Sequence, residues 1–262
     1  MKIVNQTMKK TIYFKNRKND PVGFMAAAEQ GNAIDMYLYG DICVSSIEKW
    51  SEDDRCPSEI VEYLTGISDG QQINIHFNSC GGDYFAGLAI YSLLKDKKSK
   101  KVAYVDGLAA SIASVIMFAA DEIHMRTGAQ IMIHNPLAMG ASGNAEELRT
   151  IADHLDVCSE RVRSIYMENA AKGVDDAKMK DLMDAETWME AADAQTVFKN
   201  MYADDTEKVA ACASTVIKRY RNTPEKLNQE IKSAKLEKPE DWEKSNRDTE
   251  RAKEILNDID LI

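Results

Sequence analysis

The 262-residue sequence holds little of what marks a disulfide-built, metal-built or membrane-embedded protein. Its five cysteines are odd in number and irregularly spaced, so they form no disulfide framework, and a reducing, cytoplasmic compartment is the expectation. Neither Cys-x-x-Cys nor His-Glu-x-x-His occurs. Among the four histidines, His124 and His154 have no ligand partners at useful spacing, so no metal and no cofactor is expected. No apolar run is long enough for a membrane-spanning helix, and the basic N-terminus is not followed by a long apolar segment, which argues against a secretory signal. Positive charge is missing where nucleic-acid binding would need it. The formal net charge is −10: residues 1–20 carry six basic against one acidic side chain, residues 21–205 carry 15 against 30, and residues 206–262 carry 12 against 12. The central segment is thus acidic and unsuited to nonspecific nucleic-acid binding, while the basic arm reads as solvated.

What is present points to acyl transfer. The segment Gly107-Leu108-Ala109-Ala110-Ser111 places a serine between a β-rich run at 101–105 and a small, apolar helical stretch at 112–120. A serine at that junction sits where backbone N–H groups of the helix start point past it. Downstream, Ile131-Met132-Ile133-His134-Asn135-Pro136 delivers a histidine as a short strand ends. Upstream, the alternating run 73–77 leads into Asn78-Ser79-Cys80-Gly81-Gly82-Asp83, whose paired glycines allow close backbone approach and exposed N–H donors. A nucleophile, a base and an oxyanion loop are the parts of a serine hydrolase.

The order of these three motifs resembles that of the Clp protease proteolytic subunit (ClpP) across roughly residues 33–205. The run 36–42 and Glu186-Thr187-Trp188 are more similar to ClpP-like head-maturation (prohead) proteases of tailed phages. The resemblance implies Ser111 as nucleophile, His134 as general base, and backbone N–H groups of Gly82 and Ile112 as oxyanion donors. It implies Glu186 as the third member of the triad, where the family usually has aspartate, with Asp184 as the rival. Cys80 stands where the family usually has proline, and reads as a small buried side chain. The implied fold is the α/β ClpP/crotonase fold of repeated ββα units. The implied activity is ATP-independent endopeptidase cleavage, of capsid or scaffold proteins, in a homo-oligomeric ring or double ring. Two alternatives remain: a degradation chamber fed by an AAA+ unfoldase, and a catalytically silent assembly protein.

The remaining polar residues have plainer readings. Ser114, one turn after Ser111, suits packing or a backbone hydrogen bond, and His76 reads as a satisfied, partly buried histidine. Asp83 and Asp106 read as turn residues flanking the motif loops. Along the chain, residues 1–32 read as a flexible lead-in with a β-like run at 11–14 and a turn at Pro21-Val22-Gly23. Strands are expected at 34–42, 73–77, 101–105, 123–126 and 131–134, and helices at 57–64 and 86–94. A long helix opens at Asn144 and runs to about 171; in ClpP it forms part of the handle through which two rings meet. Helices at 175–183 and 190–200 follow. Residues 206–262 read as a charged extension, helical over 206–221 and otherwise partly disordered.

Overall fold

A computed structural model describes residues 10–15, 21–27, 33–45, 55–207, 214 and 216–234. Strands β1 (Lys10–Lys15) and β2 (Pro21–Ala27) pair antiparallel as a two-stranded sheet. The turn expected at residues 21–23 is therefore strand: Pro21 is the first residue of β2 and stands opposite Lys15, the last of β1, a strand-start position where a missing N–H is tolerated.

The main sheet is parallel in the order β3 (Ala33–Tyr39), β4 (Gln72–Ser79), β5 (Lys101–Ala110), β6 (Glu122–Thr127), β9 (Met201–Glu207). Alternation builds it: Ile34, Met36 and Leu38 of β3, and Ile73, Ile75 and Phe77 of β4, point into one apolar layer. Between strands, α1 (Pro57–Thr65) and α2 (Tyr84–Asp96) cover that layer with Ile60, Tyr63, Ile90 and Leu94. Each starts where a side chain caps it, Glu59 Oε2 taking the Cys56 N–H at 3.1 Å and Asp83 Oδ1 the Ala86 N–H at 2.8 Å. Residue Asp83 is thus a cap, as its turn reading implied. This is the α/β fold expected from the sequence.

Strand β5 is the element that positions the site. Its first half, Val102–Val105, pairs with β6, and its second half, Leu108–Ala110, pairs with β7 (Gln130–Ile133). The fork opens the sheet where β5 passes into α3 (Ile112–Met117). Strand β8 (Thr187–Met189) then runs antiparallel to β7 and sets Thr187 opposite Ile133. The two expected helices around it are α5 (Asp176–Asp184) and α6 (Ala191–Val197).

Helix α4 (Ala145–Glu168) has 24 residues and opens on an Asn144–Glu147 capping box. Its buried residues, Val162, Ile165 and Tyr166, all lie in its last two turns, while Leu148 and Val157 are exposed. The N-terminal half therefore projects from the body.

One expectation about the extension is corrected. The expected helix over 206–221 is instead the end of β9, which runs across 205/206, and a 3₁₀ turn at Val216–Arg219 among the described residues. Helix α7 (Glu225–Ala234) follows Pro224. The expectation of partial disorder falls largely on 235–262, outside the described residues.

Gly87 fixes how closely α2 approaches the turn after Ser111. A Cβ there would lie 2.0 Å from Ile112 Cγ1. Alanine raises helix propensity by about 1 kcal/mol, but overpacking costs about 1–3 kcal/mol. Gly87→Ala is expected to lower stability in urea unfolding, against the propensity trend.

Candidate active site

The backbone at Ser111 is unusual for a non-glycine residue, with φ +56° and ψ −128°. Such a conformation persists only where neighbours over-determine it. Here the Ser111 N–H donates to Met132 O of β7 at 2.9 Å, and the Ser111 carbonyl accepts from Ser114 N at 2.9 Å and Ser114 Oγ at 2.6 Å. Ser114, also 2.8 Å from the Tyr166 hydroxyl, has the backbone-bonding role expected of it. The strained turn aims Ser111 Oγ at His134, whose Nε2 is 2.6 Å away.

His134 leaves β7 just before Pro136 and is buried. Burial lowers its pKa to about 4, with Arg221 adding to the fall and the Glu186 charge opposing it. The imidazole is thus neutral at physiological pH and able to accept a proton.

The glycine pair faces the same space. Gly81 and Gly82 have φ +93° and +150°, and a Cβ on Gly82 would lie 2.0 Å from Ile42 O. Ile42 and Asp83 lace this loop down, Ile42 N donating to Gly81 O and Asp83 N to Ile42 O, both at 2.8 Å. Gly82, Ser111, Ile112 and His134 line one cavity of about 610 Å³, whose apolar walls include Val115, Val162 and Tyr166.

The two acid candidates have different surroundings. Glu186 is buried, with φ +52°, and its neighbour Thr187 pairs with Ile133, which brings it beside His134. No hydrogen bond joins its carboxylate to the imidazole. Instead Oε1 accepts from Asn222 N at 2.7 Å and Oε2 from Arg221 N at 2.9 Å. A cavity of about 180 Å³ is lined by both His134 and Glu186, with Arg219 and Arg221. Asp184 is half exposed and held below the ordinary carboxylate range by Lys180 Nζ at 2.6 Å and Asn135 Nδ2 at 2.7 Å.

Sequence reasoning did not foresee Tyr220, Arg221 and Asn222. Tyr220 is buried with its hydroxyl donating to Cys80 O and its ring edge-on to His134 at a centroid distance of 5.2 Å. The available signal was the apolar set Val216, Ile217 and Tyr220 within an otherwise charged segment. Cys80 is itself fully buried among Leu108, Ala110 and Met132.

Asp106 is not a turn residue. It is buried in β5, where His76 Nδ1 and the Tyr39 hydroxyl are each 2.8 Å from Oδ2. Arg126 Nε lies 2.6 Å from Oδ1, as an ion pair whose angle is not that of a hydrogen bond. Burial pushes the Asp106 pKa up, but His76, Tyr39 and Arg126 together hold it below the usual range. His76 is satisfied there, stacked between Tyr37 and Tyr104 at 4.6 and 5.1 Å. This cluster lies apart from the cavity that Ser111 lines. Among the described residues, no helix is long and apolar enough to cross a membrane.

The family model of the Clp protease matches residues 41–197. The chain belongs to the Clp protease family. Two curated relatives are ATP-dependent Clp protease proteolytic subunits, from Bacteroides fragilis and Bacteroides thetaiotaomicron. Each is 30% identical over 135 residues, 51% of this chain, and the chain spans 64% and 60% of their respective lengths. A solved ClpP1 point mutant from Listeria monocytogenes shares the fold, with TM-score 0.52 at 20% identity, over 66% of this chain and 91% of that one. The matched region of this Clp protease family member ends before Val216–Tyr220, so the segment that touches Cys80 and Glu186 lies outside it.

A pH profile tests the His134 environment. With Ser111 as nucleophile and neutral His134 as its base, fluorophosphonate labelling is expected to stay level from neutral pH down to about 5 and to fall as pH passes through about 4. Glu186→Gln removes the charge that raises His134, and should move that acid limb to lower pH. An upward move would mean that Glu186 does not act on the imidazole through its charge.

Proposed function

We propose that this chain is a serine endopeptidase working through a Ser111 acyl-enzyme. The observation that carries the reading is the 2.6 Å approach of Ser111 Oγ to His134 Nε2 beside a cavity that Gly82 and Ile112 also line. Ser111 Oγ attacks the scissile carbonyl carbon while its proton passes to His134 Nε2. The carbonyl oxygen becomes an oxyanion, met by the N–H groups of Gly82 and Ile112. His134 then gives the proton to the leaving amine, and water, activated by the same imidazole, releases the acyl group from Ser111. Glu186 supplies the negative charge that stabilises the imidazolium. Its burial beside His134 supports it over Asp184, whose carboxylate is engaged by Lys180 and Asn135.

The physiological reading is ATP-independent head maturation, with capsid or scaffold proteins as substrates and a homo-oligomeric ring as the working form. It is supported by the phage-like runs at 36–42 and 186–188, and by an extension beyond the family-matched region. The projecting half of α4, with exposed Leu148 and Val157, supports assembly with further copies. A second reading, a proteolytic subunit fed by an ATP-driven unfoldase, is supported by the printed names of the Bacteroides relatives.

Intact-protein mass spectrometry after fluorophosphonate treatment tests the chemistry: one adduct on wild type and none on Ser111→Ala is the expected result, and labelling of the variant removes Ser111 from the mechanism. Glu186→Ala should slow peptide cleavage by roughly 10²–10⁴-fold, as loss of a triad acid does, and Asp184→Ala by far less. The reverse ranking transfers the role to Asp184.

A further inference from the structure

We infer that Ser214 and residues 216–222 are a working part of the active site, with Tyr220 a positioning residue for the oxyanion loop. The inference rests on the serine-peptidase reading above, and concerns residues beyond the family-matched region.

The segment is fastened at its start, where Ser214 Oγ donates to Asp41 Oδ1 at 2.6 Å and accepts from Val216 N at 2.9 Å. Val216 and Ile217 then pack with Cys80, Leu108, Ala110 and Met132, which come from the three motif segments that build the site. Leu227 of α7 joins the same cluster. Tyr220 is thereby lowered between the glycine loop, the nucleophile and the base. Its hydroxyl donates to Cys80 O, and it lies 3.2 Å from the point where a Gly81 Cβ would stand, a point also 2.9 Å from Ser111 Cβ. The next two residues turn their N–H groups onto the Glu186 carboxylate. Three parts of the chemistry, the oxyanion loop, the base and the acid, each meet this one short segment.

Packing alone does not call for this arrangement. A phenylalanine would fill the same apolar cluster without the cost of burying a hydroxyl. The hydroxyl is kept because it has work there: two adjacent glycines give the loop little rigidity of their own, and Cys80 does not restrain φ as a proline would. Tethering the Cys80 carbonyl fixes the peptide plane that enters Gly81, and Ile42 N fixes the following plane through Gly81 O, so the two together set the direction in which the Gly82 N–H points.

Tyr220→Phe in the full chain tests this, because it keeps the ring and removes the tether. Fluorophosphonate labelling is resolved into probe affinity and maximal inactivation rate, alongside thermal unfolding. Misplacement of reacting groups by about 1 Å costs up to about 10²-fold, so a fall of roughly 10- to 100-fold in the maximal rate is expected, with affinity and melting temperature close to wild type. Leu227→Ala serves as the packing control, expected to lower the melting temperature and leave the maximal rate near wild type. An equal fall in both variants makes the effect general packing and overturns the assignment. Unchanged or faster labelling of Tyr220→Phe also overturns it, a faster rate making the segment a brake. Failure of wild type itself to label at Ser111 removes the peptidase reading and this inference together, which separates the two.

Discussion

The site depends on a single stretch of backbone, the passage from β5 into α3 through Ser111. A parallel strand normally keeps the same neighbours along its length, but β5 exchanges β6 for β7 at its midpoint. That exchange lets a carbonyl of β7 hold the Ser111 amide, while the first turn of α3 holds its carbonyl. With both sides of the residue fixed, a left-handed φ becomes sustainable for a serine. His134 follows the same strand β7 that supplies Met132, so Ser111 and His134 share one set of ladder bonds. Their separation is governed by strand pairing, a more rigid constraint than any loop.

The proposed acid is held differently. Glu186 sits in its own left-handed turn between α5 and β8, and β8 is only three residues long. Its carboxylate is oriented by backbone N–H donors from a distant part of the chain, not by the imidazole it accompanies. Ser111 and His134 therefore belong to the sheet, and Glu186 belongs to the junction between the sheet and the segment after residue 214. The low basicity of His134 follows from this division: burial acts on it fully, and the compensating charge acts across a cavity.

Much of this was legible in the residues. Alternation located β3, β4, β6 and β7 within a few positions, and the Asn144 cap marked the start of α4. Ser111, His134 and the glycine pair were legible because each needs a specific residue type at the end of an element. Strands β8 and β9 were not, since three residues carry no period, and Tyr202-Ala203-Asp204-Asp205 has the composition of a surface loop. Asp106 misled because an aspartate beside a glycine has the chemistry of a turn, and only the fold brings His76, Tyr39 and Arg126 to it from three other strands. The role of Tyr220 was hidden for the same reason in a stronger form: it contacts Cys80 across 140 residues of sequence.

That separation has a consequence for the order in which the protein is made. Synthesis runs from the N-terminus, and domains begin to fold while the chain is still emerging. Strands β3 to β7 can pair as soon as they appear, bringing serine and histidine together with only the first half of the chain out. The bonds to Cys80 O and to both oxygens of Glu186 close only after Asn222 has been added. Until then the bond from Tyr220 to the glycine loop is absent, and so are the two amide donors to the carboxylate. Residues 216–222 thus separate in time the moment the sheet exists from the moment its site is assembled.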